Sequence, residues 1–320
     1  MVRTKFVGWG EEVCASPTWT RTIGVRSALL ARTAGDLTMA NGTHAISAAA
    51  VNLGRERGST APVTVTGLEG VPVIADVLEV GVPTGMPIVF LHGLVGLNDH
   101  WEELVKRIEH RARCVLVEMP LLHLEGDDCS IDGATTLTIR FLEQYLRGEP
   151  SVLVGNSFGG HVAAKIAIRR PDLTRGLVLA GSSGLIEKSM VSDVQIRPSR
   201  EWLARKIGEL FHDQSKMNPG DVDRAHKVLS ARGSARAMVR LSRTARKNHL
   251  GDELGAIKAP TLLVWGRQDV VTPPEACEQF AARIPNNRVV WLEQCGHVPM
   301  VEKVDEFGRE MNAFLDGVGK

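Results

Sequence analysis

The hydrophobic pattern along the chain switches repeatedly between two periods. Continuous apolar runs occur at Pro87–Leu91, Cys114–Val117, Ser151–Val154, Gly176–Ala180, Thr261–Trp265 and Arg288–Leu292. Short runs without polar alternation are what strands buried on both faces of a sheet require. Two earlier strands, Val63–Thr66 and Val71–Val80, flank a turn at Gly67–Gly70. Helical stretches separate most of the runs. Thr138–Leu146 places Phe141, Leu142, Tyr145 and Leu146 on one face, and Val304, Phe307, Met311 and Phe314 follow helical spacing near the C-terminus. Strands alternating with helices predict an α/β fold, a doubly wound, mainly parallel sheet with helices on both faces.

The alternation stops twice. Residues 186–249 are polar, helical in pattern and without a strand-like run. They predict a helical cap inserted over the carboxyl ends of the strands, where open parallel sheets bind ligands. The core is then discontinuous, 61–185 plus 250–320. Residues 1–60 carry seven Lys/Arg and four acids with no clean periodicity. They read as a disordered N-terminal extension, with Met39 as an alternative start. No apolar segment follows a basic start there, so a secretory signal is not expected.

Composition narrows the function classes. Apolar residues make up 43% and charged residues 23% of the 320, the ordinary globular balance. The 38 Lys+Arg against 37 Asp+Glu leave a charge of +1, too little basic excess for a dedicated nucleic-acid binder. No apolar stretch approaches the about 18 residues of a membrane-spanning helix. The five cysteines are scattered without a CxxC pair, which predicts a reduced, cytoplasmic protein and no zinc ribbon. The histidines form no metal-binding pattern, so no metal site is expected.

The chemistry is carried by Gly155-Asn156-Ser157-Phe158-Gly159, which follows the strand Ser151–Val154 and opens a helical stretch. This is the strand–turn–helix context of a nucleophile elbow. A sharp turn there exposes Ser157 and forces small neighbours, while the helix N-terminus aims free N–H groups at a developing oxyanion. A serine hydroxyl needs a base, and the base an orienting acid, in the order Ser, acid, His. Asp269 follows the strand Thr261–Trp265 and His297 follows Arg288–Leu292, both at strand carboxyl ends. Glu293 and Glu302 are rival acids near His297. The loop His92-Gly93-Leu94-Val95-Gly96 after Pro87–Leu91 should complete an oxyanion hole. Its donors are the N–H groups of Leu94 and Phe158, with His92 shaping the loop.

With HG at 92–93, GNSFGG at 155–160, WGRQD at 265–269 and CGH at 295–297, residues 61 to 320 resemble the α/β-hydrolase superfamily. Serine at position 157 sets the chain apart from the members that use a carboxylate nucleophile. Within the superfamily, GNSFGG and WGRQD resemble the meta-cleavage-product C–C hydrolases, which cut vinylogous diketones, and related esterases. That resemblance implies a helical cap and a Ser157–Asp269–His297 triad with no cofactor. It also implies substrate contacts at Asn156, at Arg224 in the cap, and at Val298, where the family usually carries Trp. The implied activity is hydrolysis of an ester or a C–C bond next to a carbonyl, by an acyl-enzyme or gem-diol route. The same residues fit a small-ligand sensor on a hydrolase scaffold, or a haloperoxidase- or acyltransferase-like relative.

One further pattern bears on partners. Eight Lys/Arg and no acid lie between Arg224 and Lys247, and Arg232, Arg236, Arg240, Arg243 and Lys247 share one helical face. Such a face would draw an anionic small-molecule substrate to the cleft. Few aromatics interleave, which disfavours a nucleic-acid or membrane surface.

Overall fold

A computed structural model describes residues 58–96, 98–188 and 198–318. The expected N-terminal extension at 1–60 thus lies almost wholly outside the described residues. All eight expected strands form: β1 (Gly58–Thr66), β2 (Pro72–Gly81), β3 (Met86–Leu91), β4 (Ala112–Glu118), β5 (Ser151–Asn156), β6 (Thr174–Ala180), β7 (Thr261–Gly266) and β8 (Asn287–Leu292). β1 runs longer than its apolar pattern, because the hairpin with β2 pairs as far as Gly58 and Val80.

The strands make one sheet in the order β1-β2-β4-β3-β5-β6-β7-β8. The β1/β2 and β2/β4 pairs are antiparallel and the other five are parallel. β4 and β5 flank β3 on opposite sides, so the loops leaving β3 and β5 diverge. The point of divergence, at the strand carboxyl ends, is the general ligand position in such sheets.

The helices are α1 (Glu102–Val105), α2 (Ile131–Tyr145), α3 (Phe158–Arg169), α4 (Arg200–Gly208), α5 (Asp221–Ser230), α6 (Ser234–Lys247), α7 (Pro274–Arg283), α8 (Pro299–Glu302) and α9 (Val304–Val318). Because side chains alternate along a strand, β3 feeds two cores. Ile88 and Phe90 pack with Trp101 and with Phe307 and Met311 of α9. Val89 and Leu91 pack with Phe141 of α2 and with α3. Helices therefore cover both faces. β8 closes the sheet at an edge and is mostly half-buried, despite its apolar sequence. No helix among the described residues is long and apolar enough to cross a membrane.

Helices α4, α5 and α6 all lie in the excursion between β6 and β7. Its two ends meet where the Leu250 N–H donates to the Gly184 carbonyl at 2.8 Å. Beside that neck Lys165 of α3 is almost completely buried. Its ammonium donates to Asn248 Oδ1 at 2.6 Å and pairs with Asp132 at 3.1 Å, while the Asn248 amide donates to Asp132 at 3.0 Å. The buried charge is thus paired and hydrogen-bonded, as it must be to be tolerated. The adjoining His161 is pushed down to about 3 by burial and by Lys165, and stays neutral.

The expected basic face is present with one correction. Arg236, Arg240, Arg243 and Lys247 are exposed on α6, opposite the buried Ala237, Met238, Leu241 and Ala245. Arg232 is not in register with them. Gly233 takes a left-handed φ of 91° and starts the helix after Arg232.

Candidate active site

Ser157 stands between β5 and α3 with φ 53° and ψ −120°. Left-handed φ is strained for a residue with a Cβ, and the neighbouring backbone shows why the chain accepts it. A Cβ at Gly155 would lie 2.4 Å from the Gly159 carbonyl oxygen, and one at Gly159 would lie 2.3 Å from that of Leu91. Only glycines let β5, α3 and the end of β3 approach this closely, and the close approach enforces the turn.

Asp269 and His297 meet directly. The His297 Nδ1–H donates to Asp269 Oδ2 at 2.8 Å, with both residues 3% exposed. This fixes the tautomer that leaves Nε2 free to accept a proton. Asp269 is itself held by four donors. Its Oδ1 accepts from the Val271 and Thr272 N–H groups at 2.8 and 2.9 Å, and Oδ2 accepts from the Thr272 hydroxyl at 2.9 Å as well as from the ring. Thr272 is a member of the site that no sequence motif marks. Its only advance signal is a Thr three residues after an Asp in a loop, an ordinary turn pattern.

Burial opposes a charge on His297, but the charge and hydrogen bond of Asp269, with the charge of Glu187, outweigh it and raise the ring above its ordinary value. No sequence motif marks Glu187 either. It lies on the strand-to-helix excursion next to Lys188, whose N–H donates to the Val271 carbonyl at 2.8 Å. Burial raises its carboxyl, against the opposing charges of His297 and Arg246. The rival acids are engaged elsewhere. Glu293 pairs with Arg267 at 3.5 Å, and both Glu302 oxygens accept backbone N–H groups.

The two residues expected to supply oxyanion donors lie on segments beside Ser157. Phe158 is the first residue of α3, where N–H groups have no partner inside the helix. The β3 loop turns through a Gly96 N–H to Gly93 carbonyl bond of 3.1 Å. A Cβ at Gly93 would lie 3.5 Å from that of Ser157, so this loop, with Leu94, runs alongside the nucleophile. His92 donates from Nδ1 to the Gly93 carbonyl at 2.7 Å, and burial lowers its pKa, which suits a neutral loop-shaping role.

The three residues expected to contact substrate are placed as follows. Asn156 is buried, and its amide donates to the carbonyls of Ala180 at 2.8 Å and His297 at 3.0 Å. Val298 is 2% exposed and packs in the core with Met300 and Phe307. Arg224 pairs with Asp99 at 2.7 Å and also with Asp221. Asp99 stands just beyond the β3 loop, so this contact ties α5 to the segment that follows β3.

Residues 88–310 match the model of the alpha/beta hydrolase family. The chain belongs to that family and is a hydrolase. It is 27% identical over 237 residues to the pimeloyl-[acyl-carrier protein] methyl ester esterase of Nitrosomonas europaea, covering 70% of this chain and 93% of that protein. It is 30% identical over 172 residues to the 2-hydroxymuconate semialdehyde hydrolase of Pseudomonas putida, covering 51% and 61%. Its fold is similar to the meta-cleavage product hydrolase from Pseudomonas fluorescens IP01 (CumD), with a TM-score of 0.69 at 20% identity, covering 80% and 97%.

Proposed function

We propose that this chain is a serine hydrolase of carboxylic esters that works through Ser157, His297 and Asp269 without a cofactor. The observation that carries the reading is the buried His297–Asp269 hydrogen bond of 2.8 Å, set at the same sheet edge as the strained Ser157 turn. His297 Nε2 takes the Ser157 proton as the hydroxyl attacks the ester carbonyl. Asp269 orients the ring and stabilises its cation. The N–H groups of Leu94 and Phe158 hold the oxyanion. His297 returns the proton to the leaving alcohol, and water then releases the acid. In this reading residues 186–249 form a cap over the core, 61–185 and 250–320, and the protein works in the cytoplasm on a small molecule.

Two observations favour an ester over a dienoate cut at a C–C bond. Arg224, the cation that would hold the dienoate's carboxylate, already has two carboxylate partners. Glu187 adds a negative charge beside His297, which repels an anionic substrate. The basic face of α6 then serves the cap's solvated exterior. Asn156 positions the elbow against the base.

The test is intact mass after exposure to a fluorophosphonate. One adduct on wild type and none on Ser157→Ala is the expected result. A folded wild type that takes no adduct defeats the reading and favours a ligand sensor.

A further inference from the structure

We propose that Glu302 is a positioning residue for His297, and that it transmits the seating of the cap to the base. The inference rests on the triad reading above. Glu302 ends α8, the short helix that begins two residues after His297. Its carboxylate turns back over the loop. Oε2 accepts the Gly296 N–H and Oε1 accepts the Asp213 N–H from the cap, at 2.6 and 2.9 Å. The next N–H along the loop, that of His297, donates to the Leu210 carbonyl of the cap at 2.7 Å.

Two successive N–H groups of the base loop are therefore held by one cap segment, residues 210–213. One bond is direct and the other runs through Glu302. The contact is close enough to exclude a side chain, since a Cβ at Gly296 would lie 2.6 Å from the Leu210 oxygen and 2.8 Å from the His212 nitrogen. A half-buried carboxylate that accepts two N–H groups makes charge-assisted bonds, stronger and more directional than neutral ones. Lifting the cap segment breaks the Leu210 and Asp213 bonds together. The base loop then loses its outer support while Asp269 still holds the ring from the sheet side.

Glu302 does not act through its charge on the ring. Burial lowers the His297 proton affinity, and the charges that raise it are those of Asp269 and Glu187. Its effect must appear in the rate and not in the pH at which the base titrates. A base displaced by a fraction of an ångström costs about tenfold in rate, and about 100-fold nearer one ångström.

The experiment compares Glu302→Gln and Glu302→Ala with wild type and Ser157→Ala. It measures kcat, KM and their pH dependence on a short-chain p-nitrophenyl ester, and the rate and final stoichiometry of fluorophosphonate labelling. Gln keeps the size and one acceptor oxygen but turns an NH2 toward the second N–H. The expected result is full final labelling per folded chain. Labelling rate and kcat fall together, about tenfold for Gln and about 100-fold for Ala, with KM within about twofold and an unmoved pH midpoint. Unchanged kcat and labelling rate in the Gln variant, whatever its thermal stability, overturn the proposal. A shifted midpoint overturns it too, since charge would then be the cause. Failure of the triad reading shows separately, as a wild type that does not label or a Ser157→Ala protein that does.

Discussion

The side-chain amide of Asn156 donates to the backbone carbonyl of His297 at 3.0 Å, so the residue before Ser157 holds the His297 loop directly. The second amide hydrogen holds the Ala180 carbonyl at the end of β6. One side chain thus ties the ends of β5 and β6 to the His297 loop. Asn156→Ala should cost roughly 2 kcal/mol in stability, from two buried carbonyls left without this donor. It should also lower kcat about tenfold through a looser base. Urea denaturation and steady-state kinetics read the two effects, and an unaltered kcat would return Asn156 to a purely structural part.

Asp269→Asn tests the orientation of the ring. The Val271 and Thr272 N–H groups select the amide oxygen at the Oδ1 position. The amide NH2 is then left facing His297 Nδ1, which must become an acceptor. Nε2 carries the proton in that tautomer and cannot serve as a base. Loss of kcat by about four orders of magnitude is expected, with the fold retained by circular dichroism.

The acid limb of kcat/KM should report His297. Its folded-state pKa lies above the ordinary 6.5, and the base acts only when neutral. Activity therefore rises with pH through a midpoint above 6.5. Glu187→Gln removes one of the charges that stabilise the cation, so the midpoint should move down. A midpoint that stays in place would separate Glu187 from the base.

Glu118 gives a stability prediction independent of catalysis. It ends β4 opposite Asp76. Burial first, then the charges of Asp76 and Asp99, push its carboxyl up to about 7 from an ordinary 4.5. The folded protein binds this proton more tightly than the unfolded chain does. Stability therefore falls as pH rises from the lower value through the higher one, and the penalty is complete above it. Glu118→Gln should raise Tm by a few degrees at about pH 8 and leave it unchanged at about pH 4. Thermal melts at the two pH values decide it.

The sheet was legible in the chain because each strand buried on both faces must be a continuous apolar run. The elbow was legible because its glycines are sterically compelled. Positions set by distant partners were not. Nothing near Arg224 in sequence reveals that Asp99, on the far side of the sheet connection, will neutralise it. Nothing near Lys165 shows that a charged residue on a helix will be covered by Asn248 at the neck of the excursion. Glu302 was visible as an acid near His297, but its reach to a cap N–H depends on a segment far earlier in the chain. Register at the start of α6 failed for a local reason, the left-handed Gly233.

The hydrogen bond between Leu250 and Gly184 draws together the two ends of the excursion that carries α4, α5 and α6. Its two ends leave the sheet side by side, so the span between β6 and β7 does not depend on what the cap contains. On the proposed reading, deliberate grafting can exchange the helices beyond this neck while Ser157, Asp269 and the strands that carry them stay in register. Position 302 is the condition on such an exchange. A graft that lacks an N–H at the place of Asp213 would preserve the sheet yet leave the base loop without its outer brace.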